Sequence, residues 1–297
     1  MPNRPAQVTE DRALQVLIGG VPEHFNLPWY QAIEQSAFDS LGIQVTFKTF
    51  AGGTGAMTRA IKNREIDMAL LLTEGCLADQ LNGSPLRMVK TFVQSPLIWG
   101  IHVGTTSDIQ SLEQIQGRRY AISRFGSGSH LMAIVDAAER GWPVDQMRFV
   151  KVNDLIGARQ ALADGTADVF FWEKYTTQPL VEQREFRRLG TRSAFWPAFL
   201  VAAHEEFLEQ HGVALRKILE VINRYCAALM EDRNGVPLIA KRYGLAVNQV
   251  AEWFRQTRWS VDFDKPFSEL QIAREYLERL GLVPESEITL SELWWDV

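Results

Sequence analysis

One order of elements occurs twice in the first two thirds of this chain, and it narrows the fold more than any other feature. Leu14–Ile18 is a short apolar run ended by Gly19-Gly20, which predicts a buried strand. Pro28 opens a helical pattern that runs to Leu41, with Gly42 as its stop. Ile43, Val45 and Phe47 alternate with polar residues as a strand. A helix follows Gly52-Gly53 from Thr54 to Arg64, and Met68–Leu72 is another apolar strand. The order then returns: strand Tyr120–Ser123, helix Ser127–Arg140, strand Arg148–Val152, helix Asp154–Ala163 and strand Val169–Trp172. Leu14 to Ile43 and Arg119 to Arg148 are both 29 residues apart, without close identity between the copies. Strands alternating with helices predict parallel sheets joined by right-handed crossovers. The expected class is α/β, with two lobes, each an open and mainly parallel sheet flanked by helices.

Two stretches break the pattern. Met88–Gly104 holds two extended runs interrupted by Pro96, and Arg188–Ala203 holds extended runs around Pro197. These are the expected crossovers between lobes, and together they would form a hinge. From Glu205 onward the chain reads as helical, over Ala214–Glu231, Pro237–Tyr243, Asn248–Thr257 and Phe267–Leu280. The expected division is residues 1–92 plus 199–297 in the first lobe and 93–198 in the second. The charge-rich stretch Glu182–Arg192 reads as a solvated face, and Trp294-Trp295 as an anchor for the tail.

Composition excludes several classes. With 46% hydrophobic and 23% charged residues the chain is an ordinary globular one. Its 31 Lys and Arg against 36 Asp and Glu leave a net charge of −5, and no basic stripe is interleaved with aromatics. That argues against a nucleic-acid partner. Cys76 and Cys226 have no CxxC spacing and no histidine cluster near them, so two buried thiols and no metal site are expected. No segment reaches the ~18 apolar residues of a membrane span. In MPNRPAQVTEDRALQVLIGG the one apolar run is Leu14–Ile18, shorter than the roughly 7–15 residues of an export-signal core. With Met1 as the native start, cytoplasmic residence is expected.

Ligands of open α/β sheets bind outside the carboxyl ends of the strands, which selects the loops to read. AGGTGAM (Ala51–Met57) and RFGSGSH (Arg124–His130) place Gly53, Thr54 and Gly55, and Ser127, Gly128, Ser129 and His130, at helix N-termini. Free N–H groups there attract an acceptor or anion, while the same glycines also suit plain tight turns. Neither loop is GxGxxG or a P-loop, so no nucleotide cofactor is expected. Glu23, His24, Phe25 and Asn26 form a polar and aromatic loop, with Trp29 just inside the next helix, facing either a ligand or the core. Glu74 and Glu173 hold matching places after the third strand of each unit, and Asn153 follows the second strand of the second. Each carboxylate would either bind a ligand N–H or face solvent. Trp172 would either lay its ring over a ligand or fill the core. No GxSxG elbow and no HExxH occurs, so no catalytic residue is assigned.

These segments, VPEHFNLPW, AGGTGAM, DMALLLTEG, SPLIWGIHV, SLEQIQGRRYAISRFGSGSHLMA and ALADGTADVFFWE, together resemble the type 2 periplasmic-binding-protein superfamily. The similarity covers roughly residues 12–205 and is greatest to the branch holding nitrate-, sulfonate- and thiamine-precursor-binding proteins. Within it the chain is most similar to bacterial and fungal substrate-binding-like proteins that lack an export signal. The resemblance implies two lobes closing on a small molecule, with ligand loops at Glu23–Asn26, Gly53–Gly55, Glu74, Arg124–His130, Asn153 and Trp172-Glu173. Exported relatives hand their ligand to a membrane transporter, a partner that a cytoplasmic protein would not serve in the same way. The expected function is non-enzymatic binding of a small polar metabolite, zwitterionic or an amine-bearing heterocycle. The alternative is a cytoplasmic enzyme on the same fold, of the thiamine-precursor or menaquinone-pathway kind. Fold does not choose between them.

Overall fold

The computed structural model describes residues 13–297. Residues 1–12, on which the export-signal reading partly rests, lie outside the described residues. The chain begins with β1 (Leu14–Gly20), α1 (Leu27–Glu34), β2 (Ile43–Thr49), α2 (Thr54–Lys62), β3 (Met68–Leu72), α3 (Thr73–Leu81) and β4 (Leu86–Val93). It then crosses to β5 (Ile98–Gly104), β6 (Arg119–Ile122), α4 (Gly128–Glu139), β7 (Arg148–Lys151), α5 (Leu155–Ala163), β8 (Val169–Glu173), α6 (Gln178–Glu182) and β9 (Phe186–Ser193). A second crossover leads to β10 (Phe199–His204), and the chain finishes with α7 (Glu205–Glu231), α8 (Gly235–Tyr243), α9 (Val247–Gln256) and α10 (Phe267–Arg279).

Each lobe is built on one five-stranded sheet, ordered β2-β1-β3-β10-β4 in the first and β7-β6-β8-β5-β9 in the second. The repeated unit supplies the parallel part: β1 pairs in parallel with β2 and β3, and β6 with β7 and β8. The crossover strands make both sheets mixed. β10 runs antiparallel between β3 and β4, and β5 runs antiparallel between β8 and β9. The central strands are buried on both faces, which explains why Met68–Leu71 and Leu200–Ala203 read as unbroken apolar runs. On the flanks, α7 packs on α1 and α10 on α3.

Two sequence expectations need correction. The first helix stops at Glu34, seven residues short of Leu41, because Ser36 turns to a left-handed φ of 53°. The Ala37 N–H then reaches back to the Ala32 carbonyl at 2.9 Å, closing the helix in a Schellman-type turn. The stretch Glu182–Arg192 is no simple solvated face, since Phe186–Ser193 pairs with β5 as an edge strand. The tail does anchor to the first lobe: the Trp295 N–H donates to the Met88 carbonyl at 2.8 Å, and Gln80 Nε2 to the Leu293 carbonyl at 2.7 Å. Cys76 and Cys226 are buried and unpaired. Among the described residues no helix is long and apolar enough to cross a membrane.

Each lobe also encloses charge. In the first, Lys90 has no solvent exposure, and its ammonium donates to the Thr91, Ser260 and Asp262 carbonyls at 2.9, 3.1 and 2.7 Å. It thereby ties the segment after α9 to β4. In the second, Asp136 of α4 is 1% exposed and takes both Arg140, at 2.8 Å, and Arg192 of β9, at 2.7 Å. Removing one member of a buried ion network leaves the others unpaired, typically at about 3–5 kcal/mol. Asp136→Ala should therefore lower the unfolding free energy by about 3 kcal/mol in a denaturant titration. A loss below about 1 kcal/mol would mean that the two guanidiniums find water instead.

A candidate ligand cleft between the lobes

The carboxyl ends of β1, β2 and β3 face those of β6, β7 and β8 across a cleft of about 900 Å³, counting the open solvent at its mouth. Nine residues expected at a ligand line it: Glu23, Gly53 and Thr54 from the first lobe, and Arg124, Ser127, Gly128, Ser129, Trp172 and Glu173 from the second. Between these polar groups the wall is largely apolar, with Val21, Leu72 and Phe199 facing Trp99, Leu155 and Ile156.

Eight other expected residues do not line the cleft. His24 is buried with its ring against Phe25 and edge-on to Trp253, centroids 4.1 Å apart, and burial pushes its pKa down to about 3. Phe25 packs on Phe199 and Trp253, and Trp29 has no exposure at all. Asn26 turns its amide to the Val21 carbonyl, at 2.6 Å, and so pins the loop that carries Glu23. Gly55 supports Arg124 from behind, since a Cβ there would stand 2.2 Å from the guanidinium Nε. Glu74 is buried under the second crossover and accepts from Trp196 Nε1 at 2.8 Å. His130 accepts from the Gly126 N–H through Nδ1 at 3.1 Å, with its ring against Phe149. Asn153 is exposed in the turn before α5, at φ 69°, and its neighbour Asp154 lines the cleft instead.

The residues that sequence reasoning missed share a cause. Trp99 and Phe199 lie at the amino ends of β5 and β10, and these strands run antiparallel, so their starts rather than their ends meet the cleft. A rule based on the carboxyl ends of parallel strands passes over them. The run SPLIWGIHV carried the signal, as an aromatic residue two positions beyond the Pro96–Leu97 break.

The lobes touch across the cleft. Arg124 Nη1 donates to the Gly52 carbonyl at 2.5 Å, and Gly128 lets α4 approach Leu72, where any Cβ would stand 2.6 Å from Leu72 Cδ1. Farther back, Lys174 and Tyr175 of the second lobe both meet Glu252 of α9, at 2.8 and 3.1 Å, and Tyr276 of α10 donates to Glu139 of α4.

Charge in this apolar setting is displaced from its ordinary state. Burial, with the Glu173 charge second, pushes the Glu23 carboxyl up to about 8. Glu173 is also raised by burial, although the Thr176 N–H reaches its Oε2 at 2.6 Å and Arg188 stands near. Burial and the like charge of Arg59 hold Arg124 down to about 10. Glu74 rises to about 7 through burial. Among the described residues, no group of three or more His, Cys, Asp and Glu side chains comes together.

These shifts fix how stability follows pH. Raised carboxyls such as Glu23 and Glu74 stabilise the fold fully below their ordinary pKa, and that stability is lost as pH rises through about 7 to 8. Buried histidines work the other way: His24 and His102 at about 3, and His130 at about 4, lose stability as pH falls below about 6.5. The ligand-free protein should thus be most stable near pH 6.5 and lose about 2 kcal/mol by pH 8. Glu23→Gln should remove most of that alkaline loss. Equal slopes for the two proteins in denaturant titrations across this range would contradict the assignment.

Comparison with known proteins agrees with this architecture. Residues 99–192, most of the second lobe, match the family model of Ca3427-like periplasmic binding proteins. The Candida albicans CA3427 gene product, described as defining a family with the generic periplasmic-binding-protein fold, superposes with a TM-score of 0.86 at 21% identity, covering 94% of both chains. The alkanesulfonate-binding protein SsuA of Xanthomonas axonopodis pv. citri, bound to MOPS, gives 0.79 at 17% identity over 95% of this chain and 98% of that one. The nitrate-binding protein NrtA of Synechocystis PCC 6803 gives 0.75 at 14% over 95% and 85%. No curated protein matches in sequence. The chain is a protein of the type 2 periplasmic-binding-protein fold, with the Ca3427-like pattern in its second lobe.

Proposed function

We propose that the protein binds a small polar metabolite in the cleft without transforming it, closing its lobes on the molecule by bending at the two crossovers. The observation that carries this reading is the division of polar groups between lobes: Glu23, Gly53 and Thr54 on one side, Arg124, Ser127 and Glu173 on the other. A ligand touching both sets binds the closed form better than the open one, and that difference is what drives closure. Arg124 and the N-termini of α2 and α4 suit an acceptor or anionic end. Glu23 and Glu173 suit a donor end. The wall between them requires an apolar body, so the expected ligand is two-ended, zwitterionic or an amine-bearing heterocycle. The MOPS bound by the Xanthomonas relative, a sulfonate joined to a ring amine, has that kind of two-ended chemistry.

A thermal-shift screen of metabolites tests this reading, because a ligand at a hundredfold excess over Kd stabilises by about 2.7 kcal/mol. Hits should also compact the protein in small-angle scattering, whereas a hit converted under multiple turnover would make the protein an enzyme. Trp172 lines the cleft with its ring stacked on Phe170 at 5.1 Å. Trp172→Ala should therefore weaken a hit by about 1–3 kcal/mol while costing only about 0.5–1.5 kcal/mol of ligand-free stability through the lost stack on Phe170. Trp29→Ala, in the core, should instead cost about 3–5 kcal/mol of folding. A Trp172 variant that behaves like the Trp29 one removes the indole from the binding surface.

A further inference from the structure

Glu23 and Glu173 come from opposite lobes, one in the loop after β1 and the other at the end of β8, and both line the same cleft. Cations near them are already engaged. Lys174 pairs with Glu252 at 2.8 Å. Arg188 of β9 donates to His102, to Gln178 and to the Lys174 carbonyl, at 3.2, 2.6 and 2.6 Å. Arg124, which lines the same cleft, donates to the Gly52 carbonyl. The other titratable groups around the pair supply no positive charge. His24 is held neutral by burial, Asp154 is acidic, and Tyr175 donates to Glu252. The Thr176 N–H serves the Glu173 carboxylate, while the Glu23 carboxyl takes no hydrogen bond from the described residues. Two carboxyls from opposite lobes thus line one mainly apolar enclosure, together with the indoles of Trp99 and Trp172.

We infer that Glu23 and Glu173 form one cation seat divided between the lobes, which takes the protonated nitrogen of a ligand with a compact apolar body and releases a proton as it does so. The inference rests on the clamp reading above and adds to it the charge of the ligand and a coupling to pH. Carboxylates that share one poorly solvated cleft do not both ionise cheaply, so the closed and empty cleft holds one proton on them. An organic ammonium brings its own positive charge and needs both carboxylates ionised. One cation enters, one proton leaves to the buffer, and the charge of the site is unchanged. The aromatic walls favour an organic cation over a bare metal ion, because ring faces attract an ammonium and the apolar surface covers its body. The seat also acts as a latch: without proton or ligand, the two carboxylates push the lobes apart.

Benzylammonium and benzyl alcohol share a body and differ in charge, so they separate the seat from the rest of the cleft. Calorimetry at pH 6, 7 and 8 in phosphate and in Tris should show benzylammonium binding at least about tenfold more tightly than the alcohol. Its affinity should rise about tenfold from pH 6 to 7, the competition expected from one proton. Close to one proton should be released per ligand at pH 6.5. Glu23→Gln, which conserves shape, should abolish the proton release and the pH dependence, whereas Glu173→Gln should weaken benzylammonium at least about tenfold while leaving the proton on Glu23 to be released. Equal affinities for the two probes, together with compaction in scattering, would overturn the seat and leave the clamp standing. Failure of benzylammonium to bind, or binding without proton release, would also overturn it. Absence of compaction with every hit of the metabolite screen would overturn the clamp itself.

Discussion

The structure depends on a single reversal of chain direction in each sheet. The repeated unit builds three parallel strands, but neither sheet is complete without a strand that arrives across the hinge. β10 enters between β3 and β4 only after the whole second lobe has been made, and β5, the first strand of that lobe, ends up between β8 and β9. The two crossovers therefore run side by side, with the Ala198 N–H of one donating to the Ser95 carbonyl of the other at 3.2 Å. Pro96 and Pro197 lie in these two crossovers, the places where the proposed closure would bend the chain. The reversal also brings Trp99 and Phe199 to the cleft, beside the ends of the parallel strands and the loops that follow them.

Given that frame, the cleft's electrostatics follow from what surrounds its charges. An ionised carboxylate or guanidinium facing Trp99, Leu72 and Ile156 has little water to solvate it, so Glu23, Glu173 and Arg124 are all drawn toward their neutral forms. They are arranged in two groups of opposite sign rather than as ion pairs. An ion pair within the protein would satisfy the charges and leave the cleft indifferent to a ligand. Held apart, the charges suit an occupant that answers both, as the proposed function requires.

Much of this was legible in the sequence. The 29-residue spacing, the glycine loops and the two Pro-centred crossovers predicted the elements and their grouping. The strand-end rule located Glu23, Gly53, Arg124, Trp172 and Glu173 at strand ends and loops that the structure brings to one cleft. It failed where a loop residue's polarity was misread as exposure. His24, Glu74 and His130 are polar and sit at strand or helix ends, yet each is folded against aromatic rings or hydrogen-bonded within its own layer. Sequence period cannot show which side of a loop faces inward. It also gave no warning of Ser36, whose left-handed turn ends α1 early, because serine rarely takes that conformation.

In the proposed clamp, ligand contacts made by both lobes select a closed form. Thr49, at the end of edge strand β2, and Lys151, at the end of edge strand β7, are exposed on opposite lobes. Spin labels on cysteines placed at these two positions, with Cys76 and Cys226 buried and unreactive, report the separation of the lobes by pulsed electron resonance. With a compound that raises the melting temperature, a broad ligand-free distance distribution should collapse to a single shorter distance. A distribution unchanged at saturating ligand would contradict the account.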